Sequence, residues 1–518
     1  MKKQNNFFRA GAMLALSGIA VKAFSAAYRI PLTRMLGADT MGRYSAVLNL
    51  FMPFFSFATA GITAAVTNYT AVYGTDNPAA VQEIKRKALK LYTAAACVLS
   101  AVFLVFCRLY AQQQDEMLFF YGGAVLAPSI ALAAAENVFK GITQGQMNMM
   151  PTAQAGLMES FFKTALGLAG VWGVMHLWPS SKDETALVVC FGAITLSGLV
   201  CAVFLWLKCR DDNIHKKASA SVSGRGMFKI SVPIAVSALT VSLTSFFDTA
   251  FCLPCIDRLP YDAIVKSFDG ASFMGAGDMS MYLFGIWQGM VLTVFNLPPA
   301  IVSSIGVASL PLISRSWQSD NKKLLGSHTA KLFRATAFLA VPAYTFVFCF
   351  GAEIIQLLFG TTPQQTVVAE SLLQMLCITG VFCCFGSAFN AVLYGAGRAD
   401  KVFNILLSAC VAKSAVGYLL CGIPKINIKA FAVSGGCFYT IIFVRSILAV
   451  KKLGIDFDFA HIFTLPLLAS AAAVLMANGL AAAQLYSLPL FLKLFFCGVI
   501  FGCIYLLAIA CTGFLVDK

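Results

Sequence analysis

The sequence predicts an all-α integral membrane protein of fourteen transmembrane helices, arranged as two parallel six-helix lobes followed by a C-terminal pair. Three observations carry this. Of 518 residues, 59% are hydrophobic and 12% are charged, about half the charged share of a soluble domain. Fourteen mostly apolar runs are centred near residues 20, 60, 98, 130, 162, 197, 241, 295, 340, 382, 410, 438, 472 and 502. Each has the length of about 20 residues that a spanning helix needs, whereas barrel strands would alternate over about ten. Finally, a segment of the first half returns in the second.

Taken in order, "MKKQNNFFRA" and the run after it resemble a signal peptide. The run is too long for one and is interrupted by Lys22, so it is expected to remain as an uncleaved first span. The loops then test the count. The second holds Lys85, Arg86, Lys87 and Lys90, and the sixth holds Lys208, Arg210, Lys216, Lys217, Arg225 and Lys229. Arg315, Lys322, Lys323 and Lys331 fall in the eighth, Arg398 and Lys401 in the tenth, and Arg445, Lys451 and Lys452 in the twelfth. Odd loops are poorer in cations or rich in acid, as with Asp257, Asp262, Asp269 and Asp278 in the seventh; the eleventh dissents with Lys425 and Lys429. Cations collect on the cytoplasmic side, so both termini are expected there. This also accounts for the net charge of +15 without nucleic acid, for which no binding motif is present.

The sixth loop divides the chain. "YGGAVLAPSIALAAAENVFKGITQG…FFKTALG" in spans four and five echoes "LLQMLCITGVFCCFGSAFNAVLYGAGRADK…VAKSAVG" in spans ten and eleven. Gly145 falls on Gly395, Lys163 on Lys413 and Gly167 on Gly417. Equivalents are six spans apart, an even number, so the halves run parallel. The expected division is 1–210, a linker 211–226, 227–452, and a pair of spans in 453–518 outside the repeat. Such halves suit a transporter rocking about a central cleft. Pro53 and Gly61 in span two, and Pro298 and Pro299 in span eight, are the candidate hinges.

Charges inside the spans are the candidate site. A cation near the bilayer centre costs at least ~2.5–3.5 kcal/mol. Lys22 lies near mid-depth of span one and Arg29 near its outer end; seven residues apart, they share a face with Ser25 and Ala26. Pro31 is expected to break that helix. Lys163 and Lys413 occupy equivalent places in spans five and eleven. Asp248, Glu159 and Glu136 are intramembrane acids, fitting either a coupling site for H+ or Na+ or counter-ions to these cations. The balance favours an anionic substrate, a phosphate or diphosphate, held by Lys22, Arg29, Lys163 and Lys413. No G-x-x-x-x-G-K-[ST] or G-x-S-x-G motif is present, and His176, His215, His328 and His461 are scattered. The expectation is therefore no enzyme, no metal and no cofactor, with transport driven by an ion gradient, the membrane potential or the substrate gradient. Most of the seventeen cysteines lie within apolar spans and read as packing; the lone "CLPC" of Cys252 and Cys255 is a weak redox or zinc signal.

"KAFSAAYRIPLTRMLGADTMGRYSAVLNLFMPFFSFATAGITAAVTNY" resembles the opening of the stage V sporulation protein B (SpoVB) family, and the likeness continues in "SFFDTAF", "IGVASLPLISRS" and "NAVLYGAGRADKVFN". These are polysaccharide-biosynthesis-type transporters of the MOP superfamily, related to the MurJ lipid II flippases and to MATE exporters. The resemblance implies alternating access at a cationic cleft, and movement of an undecaprenyl-diphosphate-linked sugar across the bacterial cytoplasmic membrane. It further implies a role in peptidoglycan synthesis and sporulation, with cell-wall synthesis enzymes as partners. It places Lys22 where MurJ-type proteins carry a cleft arginine. Their arginines of spans two and eight have no counterpart near Phe55 and Ser56 or near Thr293, which leaves the lipid-linked substrate open. A cation-coupled multidrug exporter, depending on Asp248 or Glu159 and indifferent to Lys22, and an exporter of another lipid-linked polysaccharide unit are the alternatives. A non-transporting scaffold is a third.

Overall fold

A computed structural model describes residues 2–74, 78–177, 182–210, 224–268, 278–455, 459–483 and 489–512. Among these residues regular structure is helical throughout, in chain order α1 Lys2–Thr59, α2 Ile62–Tyr73, α3 Pro78–Gln114, α4 Leu118–Gly145, α5 Met150–Leu177, α6 Lys182–Lys208 and α7 Gly224–Phe247. A π-helical stretch, Asp248–Cys252, leads into the short helices α8 Leu253–Asp257 and α9 Tyr261–Lys266. Then come α10 Met279–Gly285, a second π-helical stretch Ile286–Val291, α11 Leu292–Phe295, α12 Leu297–Gln318 and α13 Lys322–Phe359. The chain closes with α14 Pro363–Gly395, α15 Ala399–Cys421, α16 Lys429–Lys451, α17 Phe459–Ala483 and α18 Leu490–Thr512. All fourteen expected spans are helical. Twelve segments of the described residues are individually long and apolar enough to cross a membrane. Spans one and two merge into one of these segments, and α5, which carries Glu159 and Lys163, is not among them.

Breaks in the helices follow glycine more than proline. Pro31 and Pro53 both lie within continuous helix. The expected break at Pro31 does not occur; neighbouring groups in a bundle re-satisfy the carbonyl a proline frees, so membrane helices tolerate it. The kink falls instead at Gly37, with φ 75° and ψ 175°, a conformation essentially confined to glycine. A second break separates α1 from α2 at Gly61, φ 81°. A Cβ there would stand 2.4 Å from the Ser231 carbonyl oxygen of α7, so backbone conformation and close approach both require glycine. In the second half, Pro298 and Pro299 sit in the first turn of α12, just after the turn at Asn296. A proline there removes only N–H groups that no helical carbonyl would accept.

By packing, the chain forms two compact units, Met1–Ala250 and Phe251–Lys518. In the first, α1 packs on α4, α5 and α7, and α6 packs on α4 and α5. Glycines set the approach of α2 to α4: a Cβ on Gly141 would meet Val66 at 2.7 Å, and one on Gly145 would meet Thr70 at 2.5 Å. Membrane helices draw together on such small residues because lipid supplies no hydrophobic drive between them. In the second unit α14 is the central helix, touching α12, α13 and α16. Gly380 there lies so close to Tyr344 that a Cβ would be 2.2 Å from its ring, and the Tyr344 hydroxyl donates to the Phe295 carbonyl at 2.9 Å. Helices α17 and α18 pair with each other and dock on α13, where Tyr505 donates to the Phe338 carbonyl at 3.0 Å.

Candidate functional site

In the first unit the intramembrane charges gather where α1, α4, α5 and α6 meet. Tyr28 of α1 is 5% exposed, and α5 builds its seat. The Lys163 Nζ stands 5.7 Å from the Tyr28 ring centroid, a cation–π distance. One turn further, Gly167 lies so close that a Cβ would be 2.6 Å from the same ring. Between them the Thr164 hydroxyl, bonded to the Ser160 carbonyl at 2.8 Å, reaches the Phe24 carbonyl at 3.5 Å. Phe24 meets Phe161 edge-on, centroids 6.2 Å apart. Positions 161, 163, 164 and 167 of α5 thus fix one stretch of α1.

Beyond the Gly37 kink, Tyr44 is buried and stacks on Phe191 of α6 at 5.3 Å and 8°. Tyr28, Tyr44 and Cys190 lie side by side, and the half-buried Arg29 neighbours both tyrosines. The kink therefore brings two tyrosines, sixteen positions apart on α1, beside one guanidinium.

A second layer lies on α4. Glu136, 3% exposed, forms an ion pair with Lys140 one turn along. The Cys201 thiol of α6 donates to the Glu136 Oε1 at 3.0 Å. Ligand atoms of Glu136, Glu159 and Cys201 lie within 4.8 Å of one another. That spacing could hold one cation, but Lys140 already occupies Glu136. Glu159 interacts electrostatically with Glu136, Lys140 and Lys163. Lysines and carboxylates thus compensate each other in the order Lys140, Glu136, Glu159, Lys163. Pairing of this kind is what makes buried charge tolerable.

The structure brings Arg29, Lys163 and Glu159 together with Tyr28, Tyr44, Glu136, Lys140 and Cys201. Lys22 is exposed, two turns before Arg29 on α1. Asp248, 4% exposed, opens a π-helical stretch; its neighbour Thr249 is bonded by the Asn49 amide at 3.1 Å. Lys413 is half-buried in α15 of the second unit. Lys140 also sits in this group. The four-residue step from Glu136 to Lys140 is a legible signal for their pairing. For Tyr44 and Cys201 the sequence carries no such signal, because both reach the site across helices.

The polysaccharide biosynthesis protein model matches residues 7–317, and the MatE model residues 288–419. The chain is 22% identical over 375 residues to the lipid II flippase MurJ of Bacillus subtilis (strain 168), covering 66% of this chain and 65% of that protein. The match thus spans just under two thirds of that relative. It is 23% identical over 430 residues to the uncharacterized membrane protein YabM of the same strain, covering 78% of this chain and 75% of that one. Among solved structures, lipid II flippase MurJ in an inward closed conformation superposes with a TM-score of 0.66 at 11% identity, over 98% of both chains. An inward-facing multidrug resistance MATE family transporter of the MOP superfamily gives 0.64 at 14%, over 85% of this chain and 99% of that one. The fold is therefore the MATE-like membrane fold of that superfamily. The relatives whose names state an activity are transporters and flippases, not enzymes. With a match over residues 7–317, more than half its length, this chain belongs to the polysaccharide biosynthesis protein family.

Proposed function

We propose that this protein is a flippase that carries an undecaprenyl-diphosphate-linked sugar across the bacterial cytoplasmic membrane, with a peptidoglycan precursor of the lipid II type as substrate. The observation that carries the reading is the cluster inside the spans in which Arg29 and Lys163 both meet Tyr28, beside the lysine–glutamate ladder. A diphosphate is an anion that accepts charge-assisted hydrogen bonds from guanidinium and ammonium groups. Arg29 and Lys163 bind it directly. Lys22, exposed two turns away on the same helix, receives it first. Glu159 and Asp248 act as counter-ions or as the coupling site for H+ or Na+, and the membrane potential is the other source of drive. Both termini face the cytoplasm, where the cation-rich loops lie. Kinship with MurJ supports the lipid-linked substrate, and enzymes of cell-wall synthesis are the natural neighbours of such a transporter.

Reconstitution in liposomes with labelled lipid II tests this. A lost charge-assisted hydrogen bond is worth about 1.5–3 kcal/mol, so Arg29→Gln and Lys163→Met should each slow flipping about 10- to 100-fold. Lys22→Ala should abolish it with folded protein still in the membrane. Wild-type flipping by all three variants overturns the proposal. The MATE-like fold favours one rival, a cation-coupled drug exporter, which predicts drug efflux that depends on Glu159 or Asp248 and survives loss of Lys22. Transport of another polyprenyl-linked glycan, with lipid II ignored, would keep the mechanism and replace the sugar.

A further inference from the structure

A second cationic site lies in the other unit. The start of α15 and the end of α16 enclose a cavity of about 450 Å³. Arg398, which caps the N-terminus of α15, lines it together with Lys401 and Asn404, whose three-residue step puts these two on one face of that helix. Arg445 and Lys452 line it from α16, two turns apart on one face of that helix. Among the described residues no carboxylate lines the cavity; Asp400, beside Lys401 in sequence, is exposed and is not part of the lining. The rest of the wall is apolar, with Leu393 at the end of α14 and Leu448 of α16.

Cations at helix ends commonly do no more than orient a span, and such residues need not meet. Here four of them, from two helices, converge on one concavity. The internal repeat shows that the fold does not demand these charges: at the offset that aligns Lys163 with Lys413, Arg398 falls on Asn148 and Lys401 on Pro151. A cavity with a polycationic mouth and an apolar wall fits a molecule with a phosphate at one end and hydrocarbon at the other. We infer that the cavity binds the phosphate group of an anionic phospholipid from the surrounding leaflet. Arg398 and Arg445 grip the phosphodiester through planar paired donors, Lys401 and Lys452 add point charge, and the Asn404 amide donates to a headgroup oxygen. The glycerol and the first acyl carbons lie along Leu393 and Leu448. The inference is independent of the transported substrate.

Purified full-length protein in neutral detergent is titrated with phosphatidylglycerol and, separately, with phosphatidylcholine, and bound lipid is counted by native mass spectrometry. One basic side chain near an anionic lipid surface contributes about five-fold in affinity. The double variant R398Q/R445Q should therefore bind phosphatidylglycerol about 25-fold more weakly, with phosphatidylcholine binding unchanged. R398K/R445K, which keeps the charge, should lose less. K322Q/K323Q, which removes two exposed cations outside the cavity, should bind as wild type. Retained binding in R398Q/R445Q, or an equal loss in K322Q/K323Q, overturns the site. Displacement of the lipid by millimolar inorganic phosphate overturns the claim that the ligand is a lipid. Thermal unfolding of each variant in detergent separates loss of binding from loss of fold.

Discussion

At the scale of single residues, the candidate site is a set of contacts that only the folded chain can make. Lys163 is legible as an intramembrane cation, and its four-residue spacing from Glu159 suggests a local pair. Its place over Tyr28 is not legible, because the two lie on helices separated by more than a hundred positions. Gly167 shows the same limit. The repeat marks it as equivalent to Gly417, but only the structure shows that it is the floor under the Tyr28 ring. A methyl group there must push the ring, α1 or α5 aside, and overpacking of a close-fitted site costs about 1–3 kcal/mol. Gly167→Ala should therefore lower the unfolding temperature in detergent and reduce flipping along with it. Gly173→Ala, two turns further along α5 with open space around it, should be neutral or slightly stabilising. Equal behaviour of the two variants would show that the Tyr28 seat carries no weight.

Among the elements, span two is the most informative. Pro53 and Gly61 read alike as hinge candidates, but the structure separates them. Helix α1 passes through Pro53 without interruption, and the chain breaks at Gly61, where φ is positive and α7 approaches within contact of the backbone. Pro31 and Gly37 differ in the same way. Proline removes one hydrogen bond, which a bundle can replace; a left-handed glycine imposes a conformation that other residues rarely adopt. Gly61→Ala should accordingly lower the yield of folded protein or abolish transport, while Pro53→Ala should retain most of both. Measuring detergent-stable protein and flipping side by side tests this, and the reverse order would place the functional break at the proline. The positions of the breaks were thus half legible: composition marks the region, but backbone dihedral angles choose the residue.

For the whole molecule, the spans and the parallel repeat were legible, because bilayer thickness fixes helix length and a repeated fold leaves matching glycines and lysines. The grouping of helices was less so. Packing places the division after Ala250, so that α7 belongs with α1 to α6, whereas the repeat places its own boundary in the linker before α7. Packing depends on which faces meet, and Gly61 against Ser231 or Ser56 against Ser242 at 2.7 Å are long-range pairs with no sequence signature. The lysine–glutamate ladder has a last consequence, which concerns how the chain is made. Helix α5 is not among the described segments long and apolar enough to cross a membrane, and each charged residue at a helix centre opposes insertion by about 2.5–3.5 kcal/mol. Its partners Glu136 and Lys140 sit on the helix synthesised immediately before it, with only Gln146–Met149 between. The translocation machinery would therefore hold α4 at its lateral exit until α5 arrives and release the two as a neutralised hairpin. Glycosylation mapping should find α5 alone mostly uninserted, the α4–α5 hairpin inserted, and the hairpin with Glu136→Leu and Lys140→Leu impaired again despite its greater apolarity. Efficient insertion of α5 alone would assign the ladder to the finished protein only. A charge pattern that looks like the substrate's concern would then also be the ribosome's, a timing mark written into two consecutive helices.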